Sequence, residues 1–413
     1  MDKGDTAWML VSSLLVLMMT LPGLALFYGG LVRKDNVLAT LMQTLAVACI
    51  ISLVWPIIGY TLVFTDGNGW AGGLSKIFMK GVGVDAVTGT IPETVFMLFQ
   101  MKFAIITCAI ILGSVADRIK FSAVMIFSVL WCILVYCPIA HWVWGPGGFL
   151  GGIGLTDYKG VGGFGTALDF AGGTVVHISS GVAGLVAALV IGKSVQVNQS
   201  SSNNLILSVL GASLLWVGWF GFNAGSTLAA NGLAGMAFLV TNTASATAGL
   251  AWVLIEWMLK GKPSVAGAIS GFVAGLVAIT PASGFVDFGA SIAIGGIAAV
   301  FCFFAVAFLK EKLGYDDSLD AFGIHGVGGM VGAILTGVYA SAAIGGRAGL
   351  LEGNSAQVVA QLISVLVTVG YASVMTFIIL KVLKATIGLR VDEHTERSGL
   401  DLALHGEKVH VYN

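Results

Sequence analysis

Two segments carry the residues best suited to chemistry. Residues 168–181 read LDFAGGTVVHISSG and residues 319–329 read LDAFGIHGVGG. Each opens on Leu-Asp and sets one histidine, His177 or His325, at the start of a long apolar run. Two neutral imidazoles that met would share a proton, one ring nitrogen donating and the other accepting, with each far nitrogen left for a ligand. If each helix begins at its aspartate, His177 lies about 12 Å along it and His325 about 7 Å. The bland alternative is two unrelated histidines, each bonded to a backbone carbonyl. A metal centre would need more ligands than two imidazoles, and no HExxH or cysteine cluster supplies them, so neither metal nor other cofactor is expected. Asp is a favoured helix N-cap. Capping is the preferred reading for Asp320. For Asp169 it competes with a carboxylate that biases a pore mouth toward cations.

Aromatic residues form a second constellation. FQMKFA (99–104) places Phe99 and Phe103 on one helix face. WFGFNAGS (219–226) carries Phe222 and, one turn on, Ser226, and Trp144 closes an apolar run before a glycine-rich loop. A tryptophan face, phenyl rings and a hydroxyl can hold a small cation by cation–π attraction and one hydrogen bond. Core packing for the phenylalanines and an interfacial belt for Trp144 fit the spacing as well, and spacing alone favours the belt. Lys102 is offset by about 100° from Phe103. It reads as a lysine snorkelling to the outer interface.

These residues need elements to hold them. The 413-residue chain is 57% hydrophobic and 10% charged, with mean hydropathy +0.95. Soluble domains carry about 25% charged residues. A net charge of −1 says nothing about nucleic acid, and no basic or acidic block suggests a nucleic-acid surface, so no nucleic-acid partner is expected. Cys49, Cys108, Cys132, Cys137 and Cys302 all fall in apolar runs, as packing residues. Apolar runs long enough to cross a ~30 Å bilayer core are expected at 7–32, 37–65, 93–116, 121–144, 169–192, 204–228, 235–259, 264–281, 289–309, 322–342 and 356–384. The Met1-Asp-Lys-Gly-Asp start is a poor signal-peptide n-region, so the first span is expected to be retained. Alternate loops collect Arg33, Lys34, Arg118, Lys120, Lys193, Lys260, Lys262, Lys310 and Lys312. Cytoplasmic loops gather such residues, which puts the N-terminus outside and the C-terminus inside, as an odd span count requires. The outer loops, 66–92 and 145–168, are the glycine-rich ones.

The fold class expected is thus an all-α integral membrane protein of eleven helices, 1–386, followed by a cytoplasmic tail, 387–413. Spans five and ten carry matching Leu-Asp…His patterns. Two five-span halves must then run in opposite directions, with the working site at their interface and an eleventh helix outside the repeat.

The motifs ALFYGGLVR (25–33), ALDFAGGTVVHISSG (167–181), WFGFNAGS (219–226), FGIHGVGG (322–329) and GLRVDEHTERSGLD (388–401) together resemble the ammonium transporters of the Amt/MEP type, across essentially the whole chain. The Rhesus glycoproteins usually lack the vestibule tryptophan, so Trp144 points to the Amt branch. The resemblance implies a homotrimer in the cell (inner) membrane, each protomer with its own pore. Trp144, Phe99, Phe103 and Ser226 match the ammonium-recruitment site. Phe103 and Phe222 match the gate, His177 and His325 the twin histidines that line the pore and relay protons, and Asp169 a carboxylate of structural and deprotonating importance. The tail matches a segment that couples subunits and meets a cytoplasmic PII-type signalling protein. The implied function is electrogenic uptake, ammonia and proton moving separately, in a transporter and not an enzyme. The alternative is an ammonium sensor, which usually carries an appended signalling domain, whereas this chain stops after a short tail. Two departures stand out: the long glycine-rich loop after Trp144, and Lys102 beside Phe103.

Overall fold

A computed structural model describes residues 1–151, 166–195 and 203–409. The glycine-rich stretch 152–165, with Lys159, therefore lies outside the described residues. Among the described residues there are eleven apolar helices: α1 (Lys3–Leu31), α2 (Lys34–Phe64), α3 (Glu93–Leu112), α4 (Phe121–Trp144), α5 (Gly173–Ile191), α6 (Leu205–Gly225), α7 (Gly232–Lys260), α8 (Val265–Ile279), α9 (Phe288–Leu313), α10 (Phe322–Tyr339) and α11 (Ser355–Thr386). Two short helices follow in the tail, α12 (Glu393–Ser398) and α13 (Leu400–His405). The protein is a multi-pass membrane protein.

Lipid offers no partner for backbone polar groups, so helix ends must be satisfied within the chain. The side chains of Asn204, Asn231, Ser264 and Asp287 accept from the first free N–H groups of α6, α7, α8 and α9. Helix α8 is the short one, about 22 Å at 1.5 Å per residue. It ends in a turn at Thr280–Ser283 that is wholly buried in protein, where irregular backbone at membrane depth is tolerated. Helix α11 is 32 residues long and packs against α4, α5 and α10. It touches both halves and belongs to neither.

The loops sort onto two faces. One holds the tail and a knot around Arg118, whose side chain is fully buried. Its guanidinium donates to the Gly192 carbonyl at 2.9 Å, to Ser318 Oγ at 2.6 Å and to the Asp316 carbonyl, and pairs with Asp117 at 2.7 Å. The tail is fastened to this face. Arg390 pairs with Glu396 at 2.7 Å, Glu396 accepts from the Val195 N–H, and Asp401 accepts from the Leu38 and Ala39 N–H groups of α2. The opposite face, here the vestibule face, holds the N-terminus, the 66–92 loop and its small hairpin, β1 (Val87–Thr88) with β2 (Ile91–Pro92).

Helices α5 and α10 cross at the centre with two-fold pseudosymmetry. Gly181, four residues after His177, lies against the Gly326 backbone. Gly329, four residues after His325, lies against Gly173 and His177. A methyl group at Gly181 would overlap the Gly326 backbone. Gly181→Ala is expected to destabilise the protein by about 1–3 kcal/mol through overpacking, read as a lower melting temperature in detergent.

The symmetry corrects one expectation. Asp320 does not cap α10. Its backbone is in the left-handed region at φ 57°, which carries its side chain away from the helix start, and its carboxylate pairs with Lys310 at 2.7 Å. Asp317 takes the cap instead, accepting from Ala321 N at 3.1 Å and Phe322 N at 2.7 Å. Asp169 and Asp317 each precede their histidine by eight residues. The repeat therefore registers Asp169 with Asp317, and both histidines sit at one depth, about 12 Å past their carboxylates. The 7 Å expected for His325 came from pairing the wrong aspartate.

Candidate functional site

The start of α5 is built around Asp169. Its carboxylate is fully buried and accepts four backbone N–H bonds, from Gly172 (2.9 Å), Gly173 (2.6 Å), Thr174 (2.9 Å) and Val175 (3.0 Å). Converging four amides on one carboxylate requires a tight turn, and Gly172 supplies it with φ 112°, a conformation side chains disfavour. The Asp169 carbonyl also accepts from Trp144 Nε1 at 2.9 Å. One residue thus fixes both the first turn of α5 and the vestibule indole.

The next turn of each helix is π-helical, Gly173–Ile178 in α5 and Phe322–Gly326 in α10, and each contains its histidine. Such turns cluster at functional sites because they re-aim a side chain within a helix. His177 Nδ1 and His325 Nδ1 lie 3.2 Å apart, a hydrogen-bond distance. Only one of the two nitrogens can carry the shared proton, so the two neutral rings are opposite tautomers. His177 Nε2 is buried and has no hydrogen-bond partner among the described residues. His141, the third histidine within a span, is different: its nitrogens lie 2.8 Å from the carbonyls of Val63 and Asn68.

Above the histidines lies a ladder of rings. Phe222 is 6.1 Å from His177, Phe103 stacks on Phe222 at 4.1 Å and 21°, and Trp144 meets Phe103 edge-on at 5.8 Å. Phe103 and Phe222 are essentially inaccessible to solvent, and their rings lie between the cavity above and His177 below. Over them opens a cavity of about 300 Å³ on the vestibule face, walled by Phe64, Phe96, Gln100, Phe103, Trp144, Phe170 and Ser226 among others. Ser226 Oγ donates to the Phe222 carbonyl at 2.8 Å. Its proton is spent there, which leaves the oxygen as an acceptor.

Not every expected residue reaches the cavity. Phe99 is fully buried one layer behind the wall, edge-on to Phe103 at 4.9 Å and against Gly225. Asp169 is likewise off the wall, its oxygens occupied by the α5 amides. Lys102 is half-buried and absent from the wall, on the α3 stripe with Thr94 and Leu98.

Trp219 was missed. It stacks on His177 at 5.3 Å and 21°, and its Nε1 donates to Thr280 Oγ1 at 2.8 Å. It precedes Phe222 by three residues in the quoted WFGFNAGS, and that same-face spacing was the available signal. Phe96 and Gln100 precede Phe103 by seven and three residues, a same-face spacing that was likewise available, whereas Phe64 and Phe170 had no such signal, because they come from the end of α2 and from the segment before α5.

A helical membrane bundle with an aromatic mouth, a stacked phenyl pair and a buried imidazole pair beneath it fits a class: multi-pass membrane transport proteins. The chain belongs to the ammonium transporter family, whose model, Ammonium Transporter Family, matches residues 7–410. It is 50% identical to the ammonium transporter of Bacillus subtilis over 99% of both chains. Among solved structures it resembles Saccharomyces cerevisiae Mep2, with TM-score 0.86 and 34% identity over 95% of this chain and 88% of that one. It also resembles a structure described as a sensor Amt protein, with TM-score 0.88 and 27% identity over 97% of this chain and 98% of that one.

Proposed function

We propose that this chain recruits ammonium in the aromatic cavity, passes its proton to the imidazole pair beneath Phe103 and Phe222, and conducts ammonia past His177 and His325 while the imidazoles carry the proton separately. The observation that carries this reading is the 3.2 Å Nδ1–Nδ1 contact beside a buried, unpartnered His177 Nε2. That nitrogen meets a solute able to donate or accept a hydrogen bond. The vestibule suits the charged form, since aromatic ring faces such as those of Trp144 and Phe103 attract a cation and Ser226 presents an acceptor to an N–H donor. The closed phenyl pair suits discrimination. A cation in an apolar passage costs several kcal/mol or more, and ammonium escapes that cost by giving up a proton, whereas potassium cannot. Potassium filters use rings of backbone carbonyls, and the walls here are rings and imidazoles.

In this reading Phe103 and Phe222 gate, and Trp144, Phe103 and Ser226 bind, with Phe99 backing Phe103. Asp169 positions α5 and Trp144. The Lys- and Arg-rich tail face is cytoplasmic, the vestibule faces outward, and the protein resides in the cell (inner) membrane as a homotrimer. The tail, bound through Glu396 and Asp401 to the ends of α2 and α5, couples protomers and offers a PII-type protein a surface. The process is transport without covalent catalysis.

An ammonium jump on a supported membrane carrying the protein is expected to evoke a current at least tenfold larger than an equal potassium jump. Equal currents would overturn the reading. The second reading, an ammonium sensor, is favoured by the likeness to the sensor Amt structure. Binding without measurable flux in proteoliposomes would select it.

A further inference from the structure

We infer that Lys102 of one copy of this chain hydrogen-bonds Asn242 of a second copy, at the middle of the bilayer, in a head-to-tail contact that fixes how protomers meet. Lys102 is half-buried on α3 and Asn242 is exposed on α7, and neither forms a hydrogen bond or ion pair among the described residues. Polar and ionisable side chains at membrane depth pair with one another or face water. Lys102 does neither within its own protomer, and the vestibule wall does not include it.

The two residues stand at the same depth. The Asp5 carboxylate accepts from Thr90 Oγ1 at 2.5 Å and from Ala230 N at 2.8 Å, which levels the approaches to α3 and α7. Lys102 and Asn242 each lie twelve residues beyond those anchors. They fall about 14 and 15 Å into their helices, half of a ~30 Å core.

They also stand on different patches. Helix α1 packs between α3 and α6, and α6 packs on α7. Exposed Leu10, Leu14 and Leu98 lie on α1 and on α3 with Lys102, and exposed Leu210, Phe238 and Leu239 lie on α6 and on α7 with Asn242. Lipid covers the leucines as well as protein does, but it cannot bond an ammonium or an amide. The ammonium is donor-only and the Asn242 carbonyl is an acceptor, so the two complement each other. A contact between two different patches is heterologous, and it builds a closed ring when the rotation relating the copies closes. The inference rests on the homo-oligomeric reading above and specifies its interface.

The test uses the full chain in a Cys49→Ser background. Protomers carrying Lys102→Cys and Asn242→Cys are co-expressed, and membranes are treated with a short bismaleimide. The expected result is covalent dimer from the co-expressed pair and none from either variant alone. A companion measurement compares Lys102→Met, Asn242→Leu and the double variant. All three should lower the dissociation temperature of the oligomer by the same amount, as a shared contact requires. An intact oligomer by light scattering with no cross-link and additive shifts would overturn the contact alone. Cross-linking by Lys102→Cys alone would overturn its head-to-tail character. A monomer in native membranes would overturn the oligomeric reading with it.

Discussion

A variant carrying both His177→Leu and His325→Leu is expected to lose the ammonium-evoked current, by at least 100-fold, while keeping its fold. Leucine nearly matches imidazole in volume and suits a buried, apolar site, so the crossing of α5 and α10 at Gly181 and Gly329 should survive. What disappears is the chain of exchangeable protons. In the native pair one Nδ1 donates to the other across 3.2 Å, so one outer nitrogen is an acceptor and the other a donor. A proton taken up on the acceptor side can be matched by one released on the donor side, with the shared proton moving between. Neutral ammonia could still enter the leucine-lined passage, but a bare proton or ammonium would meet the full cost of a charge in hydrocarbon, and ~2.7 kcal/mol of added barrier already gives a hundredfold loss. Size-exclusion and melting profiles equal to wild type, with current below a hundredth, would be the supporting outcome. A folded double variant that retains a tenth of the current would exclude the relay.

Asp169→Ala should have the second largest effect, and of a different kind. Four backbone N–H groups would lose their acceptor in a fully buried turn. Each unsatisfied buried group costs about 1–3 kcal/mol, so even partial relaxation leaves a loss of about 3 kcal/mol or more. Melting temperature, protein yield and current should fall together. Asp169→Asn keeps one carbonyl oxygen, able to accept two of the four bonds, and should fall between. This series separates two roles. If Asp169 were the group that takes the proton from ammonium, Asn would abolish current at nearly native stability. If it positions α5 and Trp144, current and melting temperature should track each other through Asp, Asn and Ala. The saturated, buried carboxylate favours tracking.

Much of this protein can be read from local sequence. The count and placement of the eleven spans follow from chain segments alone, because bilayer thickness and the need to satisfy backbone groups act on each segment independently of its neighbours. The paired Asp…His segments are legible for the same reason, since an ionisable residue in an apolar run stands out wherever its partner lies. What the sequence could not decide is how each helix is rotated and which end-turn it adopts. Asp317 displaced Asp320 as the cap because a left-handed residue intervened. Phe99 lies behind the wall and Phe96, Gln100 and Phe64 on it. Trp219 backs His177, and Lys102 is absent from the vestibule wall. Each depends on contact between helices far apart in the chain, with packing, not local pattern, choosing among rotations that hydropathy leaves equivalent. Spans are a property of a segment and the solvent around it; a site is a property of the surfaces that segments present to one another.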